Sequence, residues 1–396
     1  MASDSFFRYN PHSMKHLQFY RAIAVLVGGV VGAGIFGVPY VFAKAGWGIA
    51  LFYLILLSLV NIMLNLGYGE VILRTGRTHQ LVGFAGIYLG SIYKKIALFA
   101  TTLSIYAALL AYIILGGQFL FNLTAFYSQW TVELTSWLFF IAGSLLIWRG
   151  LKAIAKVDFW MMLFYLGVTA ALVIWGAPQL QRENFIIWDK AYWFLPYGVI
   201  WFALSGMSSV VLQREVLEGQ ENKLKRAIIW GSLIPPLVYL LFALVVIGVV
   251  GLVPAESVFS ALAVKLGQPI LILGSLFGLF AVFTSFINLG RVLLEAFQFD
   301  FRMRKPAAWT VAILPPALLF LAGVRNFIGV IGFAGAVALG INAIIFILIY
   351  RKVKHTGHRI PEYSLNFPGW LWYVVLLFSL CGIGYEILGK FVQSNV

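Results

Sequence analysis

The feature that most constrains this chain is a stretch rich in glycine and proline inside its first hydrophobic segment. It runs from Gly32 to Pro39 and reads Gly-Ala-Gly-Ile-Phe-Gly-Val-Pro. Glycine weakens a helix and proline cannot donate a hydrogen bond within one, so the stretch predicts a helix that is interrupted halfway along. In a membrane, backbone without regular hydrogen bonds is found only where protein covers it or where it lines a polar cavity. We therefore expect the break to face the interior of the protein.

Composition places the chain in a membrane. Of its 396 residues, 62% are hydrophobic and only 11% are charged, which is too little charge to cover the surface of a water-soluble protein of this length. A membrane span needs about 20 apolar residues. We count eleven such segments, the ninth of them from 306 to 323. The predicted fold class is therefore all-α integral membrane, with 11 transmembrane helices.

The distribution of charge predicts the orientation of the chain. The formal net charge is +14, and most of the 28 lysine and arginine residues fall in alternate connecting segments, which the positive-inside rule assigns to the cytoplasm. This accounts for the basic character without a nucleic-acid partner. We expect a multi-pass protein of the plasma (inner) membrane, with a cytoplasmic N-terminus, an extracellular C-terminus and a first span that is retained rather than cleaved. Cys381 is the only cysteine, which excludes an intrachain disulfide.

A second interruption is predicted in the sixth span, from Phe202 to Ser209, where serines and a glycine follow one another. Paired breaks in the two halves of a chain are typical of secondary transporters, whose substrate binds between the broken helices. At the first break, free carbonyls from about Gly28 to Val31 would suit a cation, and free N–H groups near Phe36 to Val38 would suit a carboxylate. The alternatives are that the glycines serve close helix packing and that the second break is a flexible kink.

The residues from Gly32 to Trp47 resemble the first-helix signature of the amino acid/polyamine/organocation superfamily. They are closest to its amino acid/auxin permease branch, which includes aromatic and neutral amino acid permeases. The resemblance implies a 5+5 inverted repeat with broken helices 1 and 6, followed by an eleventh helix. The implied organisation is a tail (1–15), a first repeat (16–176), an extracellular connection (177–191), a second repeat (192–350), a cytoplasmic loop (351–368) and a last helix with the extracellular C-terminus (369–396).

The resemblance also implies a substrate site between the two breaks. We expect a neutral α-amino acid there, because no charged residue can be placed at the middle of the membrane. Phe202 sits where the superfamily often keeps a gating aromatic residue. For the span 3 tyrosine in the set, the alternative is a hydroxyl that only packs helices. The expected substrate-binding residues are Gly32, Ala33, Gly34, Ile35, Phe36, Gly37, Tyr106, Phe202, Ser205, Gly206 and Met207.

A candidate cation site lies in the eighth span. Residues 281, 284 and 285 share one helix face, so a carbonyl and two hydroxyls can converge on one point. The pattern is similar to the sodium site of sodium-coupled relatives, which implies carbonyl ligands from Gly28, Val31 and Ala281 and hydroxyl ligands from Thr284 and Ser285. The alternatives are hydroxyls bonded to the preceding helical turn and coupling to protons, which much of the permease branch uses. Apart from a sodium ion, no cofactor is expected.

Glu70, at the end of the second span, is a candidate gating residue. A buried carboxylate is costly unless it is paired, so we expect Glu70 to form a cytoplasmic gate with Arg21 or Arg291; the alternative is a solvated glutamate at the interface. The amphipathic run from Val258 to Leu266 is expected to form an external lid helix.

An integral-membrane enzyme is disfavoured, because the sequence shows no zinc-binding motif or nucleophile elbow. ATP-driven transport is disfavoured as well, because the sequence shows no P-loop. The sequence therefore predicts an ion-coupled importer of an amino acid, with sodium favoured over protons. The remaining alternatives are a proton-coupled permease or exchanger, and a membrane nutrient sensor built on a transporter scaffold.

Overall fold

The computed structural model of the chain describes residues 15–76, 79–125, 127, 129–149 and 154–393. Residues 1–14 of the tail predicted for residues 1–15, and the last three residues of the predicted C-terminus, lie outside the described residues. All regular structure in the described part is helical. In chain order the α-helices are α1 (Lys15–Val30), α2 (Gly34–Ala45), α3 (Trp47–Thr75), α4 (Leu81–Tyr88), α5 (Ser91–Thr124), α6 (Val132–Arg149), α7 (Ile154–Gly176), α8 (Leu195–Leu204), α9 (Ser209–Val216), α10 (Leu224–Val250), α11 (Val258–Leu266), α12 (Gln268–Asp300), α13 (Lys305–Leu321), α14 (Phe327–Phe333), α15 (Gly340–Thr356) and α16 (Gly369–Gln393).

The helices confirm an all-helical membrane protein. In the described part of the chain, nine helical segments are long and apolar enough to cross a membrane, and the bent pair α1–α2 makes a tenth. The predicted ninth span corresponds to α13, which has 17 residues and is shorter than these. The number of eleven spans therefore stays a prediction.

The two interrupted segments lie at the centre of the molecule. In the most apolar window of α8–α9, 67% of the residues are buried, against 22% in α16. α2 packs against α8, and α1 packs against α9 and α10. An apolar helix that is covered on most sides belongs to the interior, whereas an exposed apolar helix in a membrane protein faces lipid. The broken helices are thus enclosed by protein, and α16 lies at the periphery.

Five phenylalanines fill the core on one side of the first break. The ring of Phe36 in α2 lies 4.9 Å from that of Phe119, 6.0 Å from that of Phe242, 5.7 Å from that of Phe259 and 5.9 Å from that of Phe277. All five rings are fully buried, and tilted or edge-to-face pairs of this kind are favourable. Since Phe259 belongs to α11, the segment predicted to be a lid helix is packed over the second half of the first broken span.

The far end of α2 is fixed by the connection between the two halves of the chain. Gly46 has φ 90°, a conformation that glycine adopts readily, and it turns the chain from α2 into α3. The Trp47 N–H then donates to Ile186 O at 2.8 Å, and the Asp189 N–H donates to Ala45 O at 3.0 Å. The C-terminal end of α2 is therefore held by this connection.

Candidate functional site

The first break separates α1 from α2, which are bent by 58° relative to each other. The N–H groups of Ile35 and Phe36 donate to Gly32 O at 3.4 Å and Ala33 O at 3.1 Å, so helical bonding resumes directly after the break. α2 consequently begins at Gly34 and not near Val38 as the sequence predicts. The backbone N–H groups left free at the start of α2 therefore also lie earlier in the chain than expected. Among the backbone hydrogen bonds outside the helices of the described residues, none uses the N–H of Gly32 or Ala33.

The second break separates α8 from α9, as the sequence predicts. α8 ends at Leu204 and α9 begins at Ser209. The Ser205 N–H donates to Phe202 O at 3.1 Å, and the Ser205 hydroxyl donates to the same oxygen at 2.8 Å. These bonds turn the chain out of the helix, because they use an acceptor three residues back instead of four.

The structure brings the two breaks into direct contact. A Cβ atom on Gly34 would lie 2.4 Å from Ala203 Cα, and one on Gly206 would lie 2.3 Å from Val30 Cγ2. Both distances are shorter than any normal carbon–carbon contact, so a larger residue at either position would force its neighbours to move. Gly34 thereby takes the packing role that the sequence left open as an alternative, since the backbone of α2 rests on α8 at this residue.

Tyr239 of α10 connects the two breaks and was missed by the sequence reasoning. Its hydroxyl lies 3.0 Å from Val30 O, the last carbonyl of α1, and 2.9 Å from Ala203 O, near the end of α8. The side chain is fully buried. Carbonyls at the end of a helix lack a partner within it, so this hydroxyl serves the backbone of both broken spans. The sequence did contain a signal for this residue, because a tyrosine hydroxyl in an apolar span is expected to face protein rather than lipid.

The other predicted substrate residues fall into two groups. Ala33 lies in the first break, and Gly206 and Met207 lie in the second. Ile35, Phe36 and Gly37 lie within α2 instead. Phe36 belongs to the buried cluster of phenylalanines, and a Cβ on Gly37 would lie 2.7 Å from Ile331 Cδ1. Phe202 lies in the last turn of α8 and is 7% exposed.

Tyr112, and not Tyr106, is the tyrosine of α5 that lies at the first break. The hydroxyl of Tyr106 donates to Val311 O of α13 at 2.6 Å, which turns this predicted substrate residue towards a neighbouring helix. The hydroxyl oxygen of Tyr112 lies 3.5 Å from the position of a Cβ on Gly32. Residues six apart in a helix do not share a face, and the spacing alone did not show which of the two points inward.

The predicted cation ligands come from two parts of the chain that meet at the first break. A Cβ on Gly32 would lie 3.2 Å from the hydroxyl oxygen of Ser285, so α12 reaches the break at this point. Ala281 is buried, and Thr284 and Ser285 are partly buried. Gly28 belongs to the last turn of α1, and Val31 is the first residue of the break.

Thr284 makes the bond to the preceding turn that the sequence left as an alternative. Its hydroxyl donates to Phe280 O at 2.9 Å and lies 3.3 Å from Ala281 O. A hydroxyl that donates its one hydrogen keeps its oxygen lone pairs. The hydroxyl of Thr284 and the carbonyl of Ala281 therefore form an uncharged pair of oxygens close together, which suits a hard cation such as sodium.

Glu70 is fully buried, but its partners differ from those predicted. Its carboxylate accepts hydrogen bonds from Arg74 Nε at 2.8 Å and from the Tyr350 hydroxyl at 2.8 Å. Arg291 instead pairs with Glu295, one turn further along its own helix, at 2.7 Å. In this structure Glu70 is therefore paired with Arg74 rather than with Arg21 or Arg291, and a gating role for Glu70 and Arg291 stays a prediction.

The loop after α15 completes the surroundings of Glu70. The Ser364 hydroxyl and the Leu365 N–H each donate to the carboxylate at 2.9 Å. The Tyr363 hydroxyl donates to Leu66 O of α3 at 2.7 Å, and burial raises the pKa of Tyr363 well above its usual range. Glu70 thus fastens this loop to α3. Within the described residues no group of three or more histidine, cysteine, aspartate or glutamate side chains is placed to hold a metal ion.

Comparison with known families and proteins gives one family match that covers both breaks. The model of the family described as the tryptophan/tyrosine permease family matches residues 15–385. The chain is 24% identical over 361 residues to the tyrosine-specific transport system 1 of Haemophilus influenzae, a match that covers 85% of this chain and 88% of that protein. It is 23% identical over 395 residues to the low affinity tryptophan permease of Proteus vulgaris, covering 91% and 92% of the two chains.

A solved structure supports the fold. The crystal structure of MhsT in complex with L-phenylalanine superimposes with a TM-score of 0.63 at 20% sequence identity, covering 93% of this chain and 97% of MhsT. At this identity the similarity concerns the arrangement of helices. The order and packing of the helices therefore belong to an architecture that is already known from a solved structure.

Proposed function

We propose that this chain, which belongs to the tryptophan/tyrosine permease family, imports an aromatic amino acid, tyrosine or tryptophan, by alternating access. The observation that carries the proposal is the direct contact between the two breaks, which lie within the matched family region. Discontinuous helices that meet in this way form the substrate sites of secondary transporters. The relatives are named for transport, and a permease binds and releases its substrate without covalent chemistry.

The backbone at the breaks offers partners for both charged groups of an amino acid. The N–H groups of Gly32 and Ala33 lie at the start of α2, where the positive end of the helix dipole favours a carboxylate. Backbone oxygens around Ser205 and Gly206, beyond the end of α8, suit the ammonium group. The side chains that flank the junction, Met207 and Tyr112, carry no charge. An uncharged substrate side chain suits this site, and the family match and the named relatives support an aromatic one.

Uptake by purified protein in proteoliposomes tests the proposed function. Labelled tyrosine is added outside, together with an excess of one unlabelled competitor. We expect tyrosine, tryptophan and phenylalanine to suppress uptake more strongly than glutamine, leucine or alanine. Competition by arginine or glutamate alone would contradict the assignment, because a site without charged side chains does not select a charged substrate over a neutral one.

We propose sodium as the coupling ion, with Gly28, Val31, Ala281, Thr284 and Ser285 as its ligands. The support is the approach of α12 to the first break at Ser285 and the pair of oxygens at Thr284 and Ala281. Sodium prefers uncharged and carboxylate oxygens, as other hard cations do. Coupling to protons is the competing possibility. Uptake driven by a sodium gradient alone or a pH gradient alone separates the two, and a response to the pH gradient alone would overturn the choice of sodium.

We infer that the protein lies in the plasma (inner) membrane with its N-terminus in the cytoplasm. The support is the uneven distribution of lysine and arginine between alternate connecting segments. Reporter fusions that are active on only one side of the membrane, placed after Thr356 and after Lys190, should report opposite sides. Activity of the same kind at both points would contradict this topology.

A further inference from the structure

The hydroxyl of Tyr239 has one hydrogen but two acceptors at nearly equal distances, Val30 O at 3.0 Å and Ala203 O at 2.9 Å. A hydroxyl donates one hydrogen bond. Among the backbone bonds outside the helices and the side-chain bonds of the described residues, no other donor reaches either oxygen. A buried carbonyl without a donor is unfavourable. The contact can therefore satisfy the end of α1 or the end of α8, but not both fully at the same time.

Gln213 provides an internal comparison close by. Its side-chain nitrogen donates to Ala22 O of α1 at 2.9 Å and to Ala227 O of α10 at 3.3 Å, and the residue is fully buried. An amide nitrogen carries two hydrogens, so Gln213 can serve two carbonyls at once. The chain thus ties α9 to α1 with a side chain that satisfies both of its acceptors. Between α8 and α1 the connecting side chain is that of Tyr239, whose hydroxyl cannot satisfy both of its acceptors fully at the same time.

The contacts around Tyr239 are suited to small movements. α2 meets α8 at Gly34 and Ala203, and the second break meets α1 at Gly206 and Val30. These are contacts between backbone and small or apolar groups, which do not fix a position by hydrogen bonding. The hydrogen bonds of Tyr239 are directional by contrast, so its hydroxyl controls which of the two helix ends is held.

We propose that Tyr239 is a positioning residue that couples substrate binding to the relative movement of the two broken helices. Its hydroxyl donates to Val30 O in one arrangement and to Ala203 O in the other. The carbonyl that it leaves accepts a hydrogen from the ammonium group of the substrate, which offsets the loss. This inference rests on the proposed function, because an α-amino acid supplies the ammonium group. No covalent bond forms or breaks in the exchange.

The single cysteine of the chain makes the coupling measurable. Cys381→Ala gives a cysteine-free background, and Ser208→Cys places a reporter thiol at an exposed position of the second break. The rate of alkylation by N-ethylmaleimide is measured in proteoliposomes with and without saturating tyrosine. With Tyr239 present, we expect tyrosine to change the rate by about fivefold or more, since coupling between sites is typically of this size. With Tyr239→Phe we expect a change of less than about twofold.

Two further variants make the test specific. Tyr197→Phe is the matched control, because the fully buried Tyr197 also donates to a backbone carbonyl, Phe378 O of α16, at 3.3 Å, away from the breaks. It should keep the full response to tyrosine. Tyr239→Gln introduces a side-chain amide like that of Gln213, with hydrogens for both carbonyls. It should fold even if Tyr239→Phe does not, and it should respond weakly because both helix ends stay satisfied.

The outcomes separate this inference from the proposed function. A full response to tyrosine in Tyr239→Phe or in Tyr239→Gln overturns the coupling role of the hydroxyl. An equal loss of response in Tyr197→Phe would show that any buried tyrosine hydroxyl has the same effect, and it also overturns the role. If the protein with Tyr239 neither takes up nor responds to an aromatic amino acid in the same vesicles, the proposed function fails, and the coupling fails with it.

Discussion

The carboxylate of Glu70 shows how much one buried residue can organise. Arg74, Tyr350, Ser364 and the Leu365 N–H all donate to it. Glu70→Gln keeps the shape of the side chain but removes the charge that faces Arg74 and points an amide at groups that are themselves donors. Breaking a buried ion pair costs about 3–5 kcal/mol. We therefore expect the free energy of unfolding in mixed micelles to fall by about 3 kcal/mol.

Glu295→Gln is the matched control for this prediction. Glu295 pairs with Arg291 at 2.7 Å with the same spacing of four residues, but its side chain is 46% exposed. Exposed pairs of this kind contribute about 0.3–0.5 kcal/mol, so the loss should be small. An equal loss of stability in the two variants would contradict the prediction. It would show that the burial of Glu70 and its contacts with the loop after α15 add nothing to the free energy of unfolding.

The hydroxyls of Thr284 and Ser285 carry the prediction about the coupling ion. Replacing both by alanine removes two oxygens from the proposed sodium site, so the stimulation of uptake by sodium should disappear. Thr310→Ala is the control. Thr310 also donates to the preceding turn, to Pro306 O at 3.0 Å, but it lies on α13, and its loss should leave sodium stimulation intact. Unchanged stimulation in the double variant would rule out this site.

At the level of residues, the sequence identified the two breaks better than the side chains around them. The glycines and serines of the breaks act through the backbone, which their composition reveals. Tyr112 and Tyr239 matter because of where their hydroxyls point. That direction depends on how α5 and α10 are rotated relative to α1. Arg74 lies one turn from Glu70, but the other partners of Glu70 come from α15 and the loop after it, 280–295 residues later in the chain. Neither is visible in local sequence.

Among the helices, the contact between α2 and α8 gives the clearest prediction. A Cβ on Gly34 would lie 2.4 Å from Ala203 Cα, a backbone atom that cannot turn away. Gly34→Ala should therefore push the two helices apart and lower the free energy of unfolding by about 2 kcal/mol, as overpacking does. Gly167→Ala on α7 is the control, because nothing lies within 4 Å of its Cβ position. The higher helix propensity of alanine should stabilise it by up to about 1 kcal/mol.

The outcome that would contradict this prediction is a Gly34→Ala protein as stable as the parent. Thermal unfolding of both variants in the same detergent measures the difference. Because α2 and α8 flank the breaks, tyrosine uptake by Gly34→Ala should fall as well, whereas Gly167→Ala should transport normally.

One helical turn was not predicted from the sequence, and the close approach of two backbones accounts for it. Ala334–Leu339 forms a π-helical turn between α14 and α15 that was not predicted. A Cβ on Gly335 would lie 1.8 Å from Gly198 O of α8, so this turn lies against the first half of the second broken span. π-helical turns are frequent at functional sites. Its local signal was a set of glycines spaced three residues apart, at 329, 332 and 335, which is equally typical of ordinary helix packing.

For the molecule as a whole, hydropathy and the two breaks were sufficient to predict the class of fold. Lipid excludes unpaired backbone, so a chain that is 62% hydrophobic has few choices other than packed helices. The breaks then indicate where the centre lies. The number of spans was less certain, because α13 is short for a span and length is the criterion that the sequence provides.

The central claim is that an aromatic amino acid binds where the two broken helices meet. An experimental density map of the purified protein with tyrosine or tryptophan bound tests it most directly. We predict ligand density between residues 31–34 and 203–206, with the carboxylate within hydrogen-bonding distance of the Gly32 or Ala33 N–H. Density for the ligand elsewhere, or continuous helices through residues 31–33 and 205–208, would contradict the account.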